Sequence, residues 1–309
     1  MNKEAKIYVA GHKGLAGSAI VRKLIYLGYE NIVTRTHEEL DLTNQCEVNE
    51  FFENEKPDYV FLTAARIGGI SDKTRYPAEF IFNNLQIESN VISCAHKYRI
   101  KKLLFMGSSY AYPNECEQPI KEEYLLSGLP GELDEPYIIA KILGVKMCEY
   151  YKRQYGDNFI SVMPCVFFGE NDTFDLTKAT VISSMIRRFH EAKINDEETF
   201  FIWGTGKPLR EFLYVDDVAD ACVFLMENYD DLECINLGNG GEEVSIAEVA
   251  DIIKKIVGFR NSVKFDISKP DGMYRKLLDS TKLFNMGWKP KIPLKEGILK
   301  TYNWYLKSR

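Results

Sequence analysis

A short apolar run, KIYVA (6–10), leads at once into GHKGLAG, with glycines at 11, 14 and 17, and then into the apolar-periodic stretch SAIVRKLIYLG. This strand, glycine turn and helix in succession narrow the fold more than any other feature. Three glycines at that junction let backbone N–H groups meet a pyrophosphate at a helix N-terminus, where side chains would block the approach. The alternation continues downstream, with β-rich runs at 31–35, 59–65, 102–107, 159–164 and 234–238 separated by helical patterns such as QIESNVISCAHKY and AKILGVKMCEYYKRQYG. Repeated βα units predict an α/β fold, a Rossmann-type doubly wound parallel sheet. The first helix is expected to close at Gly28. After Pro164 the texture loosens into TFFIWGTGKP, a helical VSIAEVADIIKKIVG and SKPDGMYRKLLD. These predict a smaller, discontinuous α/β substrate domain. Residues 1–165 and about 214–242 then form the dinucleotide-binding domain, and about 166–213 and 243–309 the substrate-binding domain.

Composition limits the partners. A formal net charge of −6 over 309 residues argues against nucleic acid or an acidic membrane surface, so any positive site is a pocket. The 7 cysteines are scattered without a Cys-x-x-Cys pair, which predicts neither a disulfide framework nor a zinc knuckle, and no metal. No run reaches the roughly 18 apolar residues of a membrane span. The chain reads as cytoplasmic and unprocessed.

Gly11, Lys13, Gly14, Leu15, Ala16 and Gly17 are the expected contacts to the cofactor's phosphates. At the end of the second strand, NIVTRTHEE places Thr34 and Arg35 where NAD-selective sites carry a carboxylate. A carboxylate there repels a 2′-phosphate, whereas Arg35, Lys13 and His37 attract it, so NADPH is favoured. A solvent-facing Arg35 is the alternative. Asp41 and Leu42 are expected to close over the adenine end, with Ala64, Ala65 and Pro164 completing the contacts.

EPYIIAK (135–141) sets Tyr137 and Lys141 four residues apart, on one helical face. An ammonium near a phenol favours phenolate, lowering a pKa from about 10 toward the range of proton exchange with a carbonyl oxygen. Ser108, at a strand end in KLLFMGSSYAYP, supplies a hydroxyl to the same chemistry.

The blocks AGHKGLAGSAI, AARIGGI, KLLFMGSS, EPYIIAKILGVKMCEYYKRQYG, SVMP, WGTGKPLREFLYVDD and SKPDGMYRKLLD run nearly end to end. They resemble the GDP-L-fucose synthase-like family of the extended short-chain dehydrogenase/reductase superfamily, which epimerises and then reduces GDP-4-keto-6-deoxy-mannose. The resemblance implies catalytic roles for Ser108, Tyr137 and Lys141. Tyr137 gives a proton to the oxygen at carbon 4, Ser108 bonds that oxygen, and Lys141 tunes the phenol and anchors the ribose. Hydride comes from NADPH. Arg188, Trp203, Arg210 and Lys269 match positions that hold GDP, and Ser109, Tyr110 and Thr180 face the sugar. The helix carrying Asn84 and the Tyr137 helix imply a homodimer through a four-helix bundle.

The chain departs from the family at two places. The family reads Gly-Ser-Ser-Cys at the strand end and has a histidine before the Val-Ile of the Arg188 helix, and these two groups move protons at carbons 3 and 5. Here the positions hold Tyr110 and Thr180, and Val166 stands where the family tends to have a polar residue. Inverting a carbon beside a ketone needs a base and an acid with pKa values near neutrality. Threonine has none, and no lysine is adjacent to Tyr110 in the sequence. His190, Cys116 and Cys165 are the remaining substitutes. The expectation is therefore an NADPH-dependent reductase of a GDP-4-keto-6-deoxy sugar or GDP-4-keto-heptose, without epimerisation, serving capsule or surface polysaccharide. The alternatives are the bifunctional 3,5-epimerase-4-reductase and a non-catalytic NADPH-binding regulator.

Overall fold

The structure, a computed structural model, describes residues 1–131, 135–269 and 271–308. The chain begins β1 (Ile7–Ala10), α1 (Leu15–Tyr26), β2 (Ile32–Val33), α2 (Gln45–Glu55), β3 (Tyr59–Leu62), α3 (Ile70–Arg75), α4 (Pro77–Lys97) and β4 (Lys102–Met106). It continues through α5 (Glu135–Tyr155), β5 (Phe159–Pro164), β6 (Val166–Phe168), α6 (Val181–Ile194), β7 (Thr199–Trp203), β8 (Leu209–Arg210), β9 (Phe212–Tyr214) and α7 (Val215–Asn228). The last part holds β10 (Ile235–Leu237), β11 (Val244–Ser245), α8 (Ile246–Val257), β12 (Ser262–Asp266), β13 (Arg275–Lys276), α9 (Thr281–Asn285) and α10 (Leu294–Lys307).

The central sheet has the order β10-β5-β4-β3-β1-β2, and every neighbouring pair is parallel. β1, β4 and β5 are buried along their whole length, as strands covered by helices on both faces must be. The edge strand β2 keeps only two residues of the run expected at 31–35, because it pairs on one side alone and its residues stay half-exposed. α1 carries the chain from β1 outward to β2, and α2 brings it back to β3 on the other side of β1. That reversal opens a crevice beyond the C-terminal ends of β1 and β3, the place where doubly wound sheets bind ligands. α1 closes as expected: Gly28 has φ +79°, and Tyr29 N–H donates back to Leu24 O.

α4 and α5 lie side by side against the sheet. Gly144 lets them approach, since a Cβ there would stand 2.4 Å from the Phe105 ring and 2.6 Å from the Glu88 carboxylate. Asn84 is fully buried: its Oδ1 accepts from Arg66 N–H at 2.9 Å, and its Nδ2 donates to Arg66 O at 3.0 Å and Phe80 O at 2.8 Å. Its amide therefore holds the loop after β3.

Beyond Pro164 the small sheets are β11-β8-β13, β12-β7 and β6-β9. They are braced by α6, α8 and a stacked Phe189–Phe200 pair with ring centres 3.7 Å apart. Within SKPDGMYRKLLD, Pro270 lies outside the described residues and β13 takes Arg275–Lys276. Glu211, 1% exposed, ties this region to the end of β10, accepting from Leu278 N–H at 2.8 Å and Asn239 N–H at 3.0 Å. Burial pushes its carboxyl up to about 7 against those two donors. A carboxyl raised in the folded state contributes stability that is full below its unfolded value and lost as pH rises through the folded one. Between about pH 5 and 8, the wild-type chain should lose on the order of 2–3 kcal/mol relative to Glu211→Gln. Thermal midpoints of both proteins across that range check it, and parallel curves would refute it.

Candidate active site

The glycine turn is built to bring backbone close. Gly11 has φ +88°, and a Cβ on it would lie 2.7 Å from Ala64 N; one on Gly17 would lie 2.2 Å from Gly11 O. Gly14 is the N-cap of α1, whose first turn has no side-chain cap and no acidic residue. Uncapped N–H groups at a helix N-terminus, behind glycines, suit an anion. They open into one large cavity of about 2660 Å³, several times the usual size of a small-ligand pocket and large enough for a dinucleotide and a nucleotide sugar together.

Gly11, Gly14, Leu15, Ala16, Gly17, Arg35, His37, Asp41, Leu42, Ala64, Ala65 and Pro164 all lie on its wall. Lys13 is exposed on the turn and is not part of that wall. Arg35 is held from behind: its guanidinium donates to Thr34 O at 2.8 Å, pairs with Glu55 and stands 5.6 Å from the Phe51 ring centre. Its remaining donors leave it able to meet a 2′-phosphate. His37 stands 3.7 Å from Asp41. The cradle, the absence of a carboxylate at the end of β2 and the fixed Arg35 fit NADP(H).

Ser108, Tyr137 and Lys141 share the next part of the wall. β4 delivers Ser108, whose Oγ accepts from Tyr110 N–H at 3.2 Å and so caps the short turn Ser109–Ala111. That acceptor role leaves its O–H able to donate to a substrate oxygen. Tyr137 is half-buried, with the ammonium groups of Lys73 and Lys141 5.3 Å and 5.8 Å from its ring centre. Lys141 is buried, donating to Met106 O at 2.9 Å and paired with Glu88 at 3.2 Å. The bond to Met106 fixes the α5 lysine to the strand end that carries Ser108. Burial pushes the Glu88 carboxyl up to about 7, with Lys141 opposing. Glu88 was not read from the sequence, where it is one of several polar residues on an amphipathic helix.

On the far side, Arg188, Trp203 and Arg210 line the same cavity. Arg188 donates to Phe201 O at 2.6 Å and Arg210 to Leu209 O at 2.7 Å, bonds that aim both guanidiniums from the small sheets. Lys269 is exposed off the wall, 5.8 Å from the Trp203 ring centre. Among the described residues no group of three or more His, Cys, Asp or Glu is placed to hold a metal.

Ser109, Tyr110 and Thr180 also line the cavity, as does Val166. The three substitutes considered for proton exchange do not serve. His190 is buried against Tyr302 Oη at 3.0 Å and is not part of the cavity wall. Burial raises the thiols of Cys116 and Cys165, keeping them protonated. The structure supplies two groups that the sequence concealed. Lys276, buried on β13, holds its ammonium 4.1 Å from the centre of the Tyr110 ring, so Tyr110 does have a lysine neighbour. Asp172, buried in the cavity wall between β6 and α6, accepts from Thr180 Oγ1 at 3.4 Å and Thr173 N–H at 2.8 Å.

A family model described as "NAD dependent epimerase/dehydratase family" matches residues 7–238. GDP-L-fucose synthase 1 of Arabidopsis thaliana is 52% identical over 307 residues, 99% of this chain and 95% of its own. A solved GDP-6-OMe-4-keto-L-xylo-heptose reductase from C. jejuni superposes with a TM-score of 0.95 at 39% identity, covering 100% of this chain and 99% of that one. A GDP-L-fucose synthetase from Naegleria fowleri bound to NADP superposes at 0.92 with 29% identity, covering 100% and 96%. The expectation of a reductase without epimerisation is corrected here. Half of all positions are shared with a GDP-L-fucose synthase over nearly the whole of both chains, a likeness that favours the bifunctional alternative over the reductase alone.

Proposed function

The chain belongs to the NAD dependent epimerase/dehydratase family, in its GDP-L-fucose synthase-like branch, and from that premise we propose that it is an NADPH-dependent GDP-4-keto-6-deoxy-mannose 3,5-epimerase-4-reductase. The 52% identity to a GDP-L-fucose synthase carries this reading. NADPH, bound along the glycine turn and Arg35, supplies hydride to carbon 4. Tyr137 gives its phenolic proton to the carbon-4 oxygen, and Ser108 holds that oxygen by a hydrogen bond. The buried Lys141 ammonium favours the phenolate left behind. Arg188 and Arg210 bind the pyrophosphate and Trp203 offers guanine a flat wall.

The division into an NADP-binding unit (1–165 and about 214–242) and a nucleotide-sugar unit (about 166–213 and 243–309) belongs to the same reading. So does a cytoplasmic homodimer pairing α4 and α5. Phe82, Leu143 and Tyr150 are exposed on these helices, an apolar surface that a second copy would cover. No described helix is long and apolar enough to cross a membrane.

GDP-4-keto-6-deoxy-mannose and NADPH in deuterated water test the reaction. The expected product is GDP-L-fucose carrying deuterium at carbons 3 and 5, read by NMR. A carbon-4 alcohol with protium at both carbons and unchanged stereochemistry would overturn the reading.

A further inference from the structure

We propose that Asp172 and Tyr110, the latter with Lys276 behind its ring, are the base and the acid that exchange protons at the carbons flanking the substrate ketone. The inference rests on the epimerase-reductase reading and gives its first stage to a different residue at the cysteine's place and to a second residue at a new one.

The geometry supports the pair from two segments of the cavity wall. Tyr110 follows β4 in the turn that Ser108 caps, and both residues line the cavity. The Lys276 ammonium, 4.1 Å from its ring centre, is fixed on a strand paired residue for residue with Arg210. A cation over a phenol ring is held more tightly when the ring becomes a phenolate, so Lys276 favours the loss of Tyr110's proton. Asp172 reaches the cavity beside Thr180, the residue standing where the family has its histidine. Burial raises its carboxyl to about 6, against bonds from Ser183, Thr173 and Thr180. It is then mostly ionised at neutral pH, yet basic enough to take a proton.

The step balances without an oxidant or reductant. The Asp172 carboxylate takes the proton from the carbon next to the ketone, and the C–H electron pair forms the carbon–carbon double bond of an enolate. The negative charge rests on the ketone oxygen, where Ser108 and Tyr137 bond it. Tyr110 returns a proton to carbon as the enolate collapses, leaving phenolate beside Lys276. Proton exchange with water resets both residues.

The test uses the full chain with NADP⁺ in place of NADPH, so that no hydride is transferred, and follows loss of the carbon-3 and carbon-5 proton signals of GDP-4-keto-6-deoxy-mannose in deuterated water. Asp172→Asn and Tyr110→Phe should each slow exchange by about 10²-fold or more, while reduction of the already epimerised ketone by NADPH falls far less. Lys276→Met should slow exchange in the wild-type background and add nothing in Tyr110→Phe, a non-additivity that a merely structural lysine does not give. Undiminished exchange in both Asp172→Asn and Tyr110→Phe overturns this assignment and leaves the epimerase-reductase reading standing. Absence of exchange in the wild-type enzyme overturns both.

Discussion

Tyr137→Phe should lower reduction at carbon 4 by about 10²–10⁴-fold, with NADPH affinity almost unchanged. The substitution removes one oxygen and nothing else. The phenylalanine ring still fills the half-buried place between Lys73 and Lys141, so α5 keeps its packing against α4. What goes is the proton that neutralises the oxygen at carbon 4 as hydride arrives. Ser108 can still hold that oxygen, which is why a residue of activity should survive. Single-turnover oxidation of bound NADPH, followed by its absorbance, separates this loss from slow product release. Proton exchange at carbons 3 and 5 should fall far less than reduction, since Ser108 still bonds the enolate oxygen and the base and acid are other residues. A variant that reduces the ketone at the wild-type rate would remove Tyr137 from the chemistry.

The fold was legible because its signals are local. A strand, three glycines and an amphipathic helix closed at Gly28 lie within about thirty residues, and each of the six predicted strand runs of the main sheet holds a strand. The edge strand β2 was overextended because apolar periodicity does not reveal how many partners a strand has. Ser108, Tyr137 and Lys141 were legible for a similar reason: one sits at a strand end and two share a helical face. Lys13 and Lys269 stand off the cavity because charge in a turn says nothing about which way the side chain leaves it. Lys276 and Asp172 were illegible for the opposite reason. Lys276 meets Tyr110 only because β13 pairs with β8 in a small sheet assembled from distant segments, and two-residue strands leave almost no pattern. Asp172 sits in an Asn-Asp-Thr turn whose polar residues read as surface, and burial alone distinguishes it from Asp175.

Gly17→Ala should weaken NADPH binding by about 10–100-fold, because the added methyl meets backbone that has nowhere to go. Its Cβ would lie 2.2 Å from Gly11 O and 2.6 Å from Gly11 C, with Thr63 Oγ1 at 2.8 Å. Thr63 cannot swing aside cheaply, since its hydroxyl donates to Ala10 O at 2.7 Å. Relief has to come from the Gly11–Gly14 turn, the element that positions the N–H groups facing the cofactor's phosphates. Moving that turn costs binding as well as stability. Gly28→Ala provides the contrast. At φ +79° an alanine there is strained, yet nothing lies within 4 Å of its Cβ and the site is at the other end of α1. It should cost about 1 kcal/mol of stability and leave NADPH affinity intact. Fluorescence titration with NADPH beside thermal melts of the two variants distinguishes the cases. Equal affinities for wild type and Gly17→Ala would mean that the cofactor's phosphates do not sit on this turn.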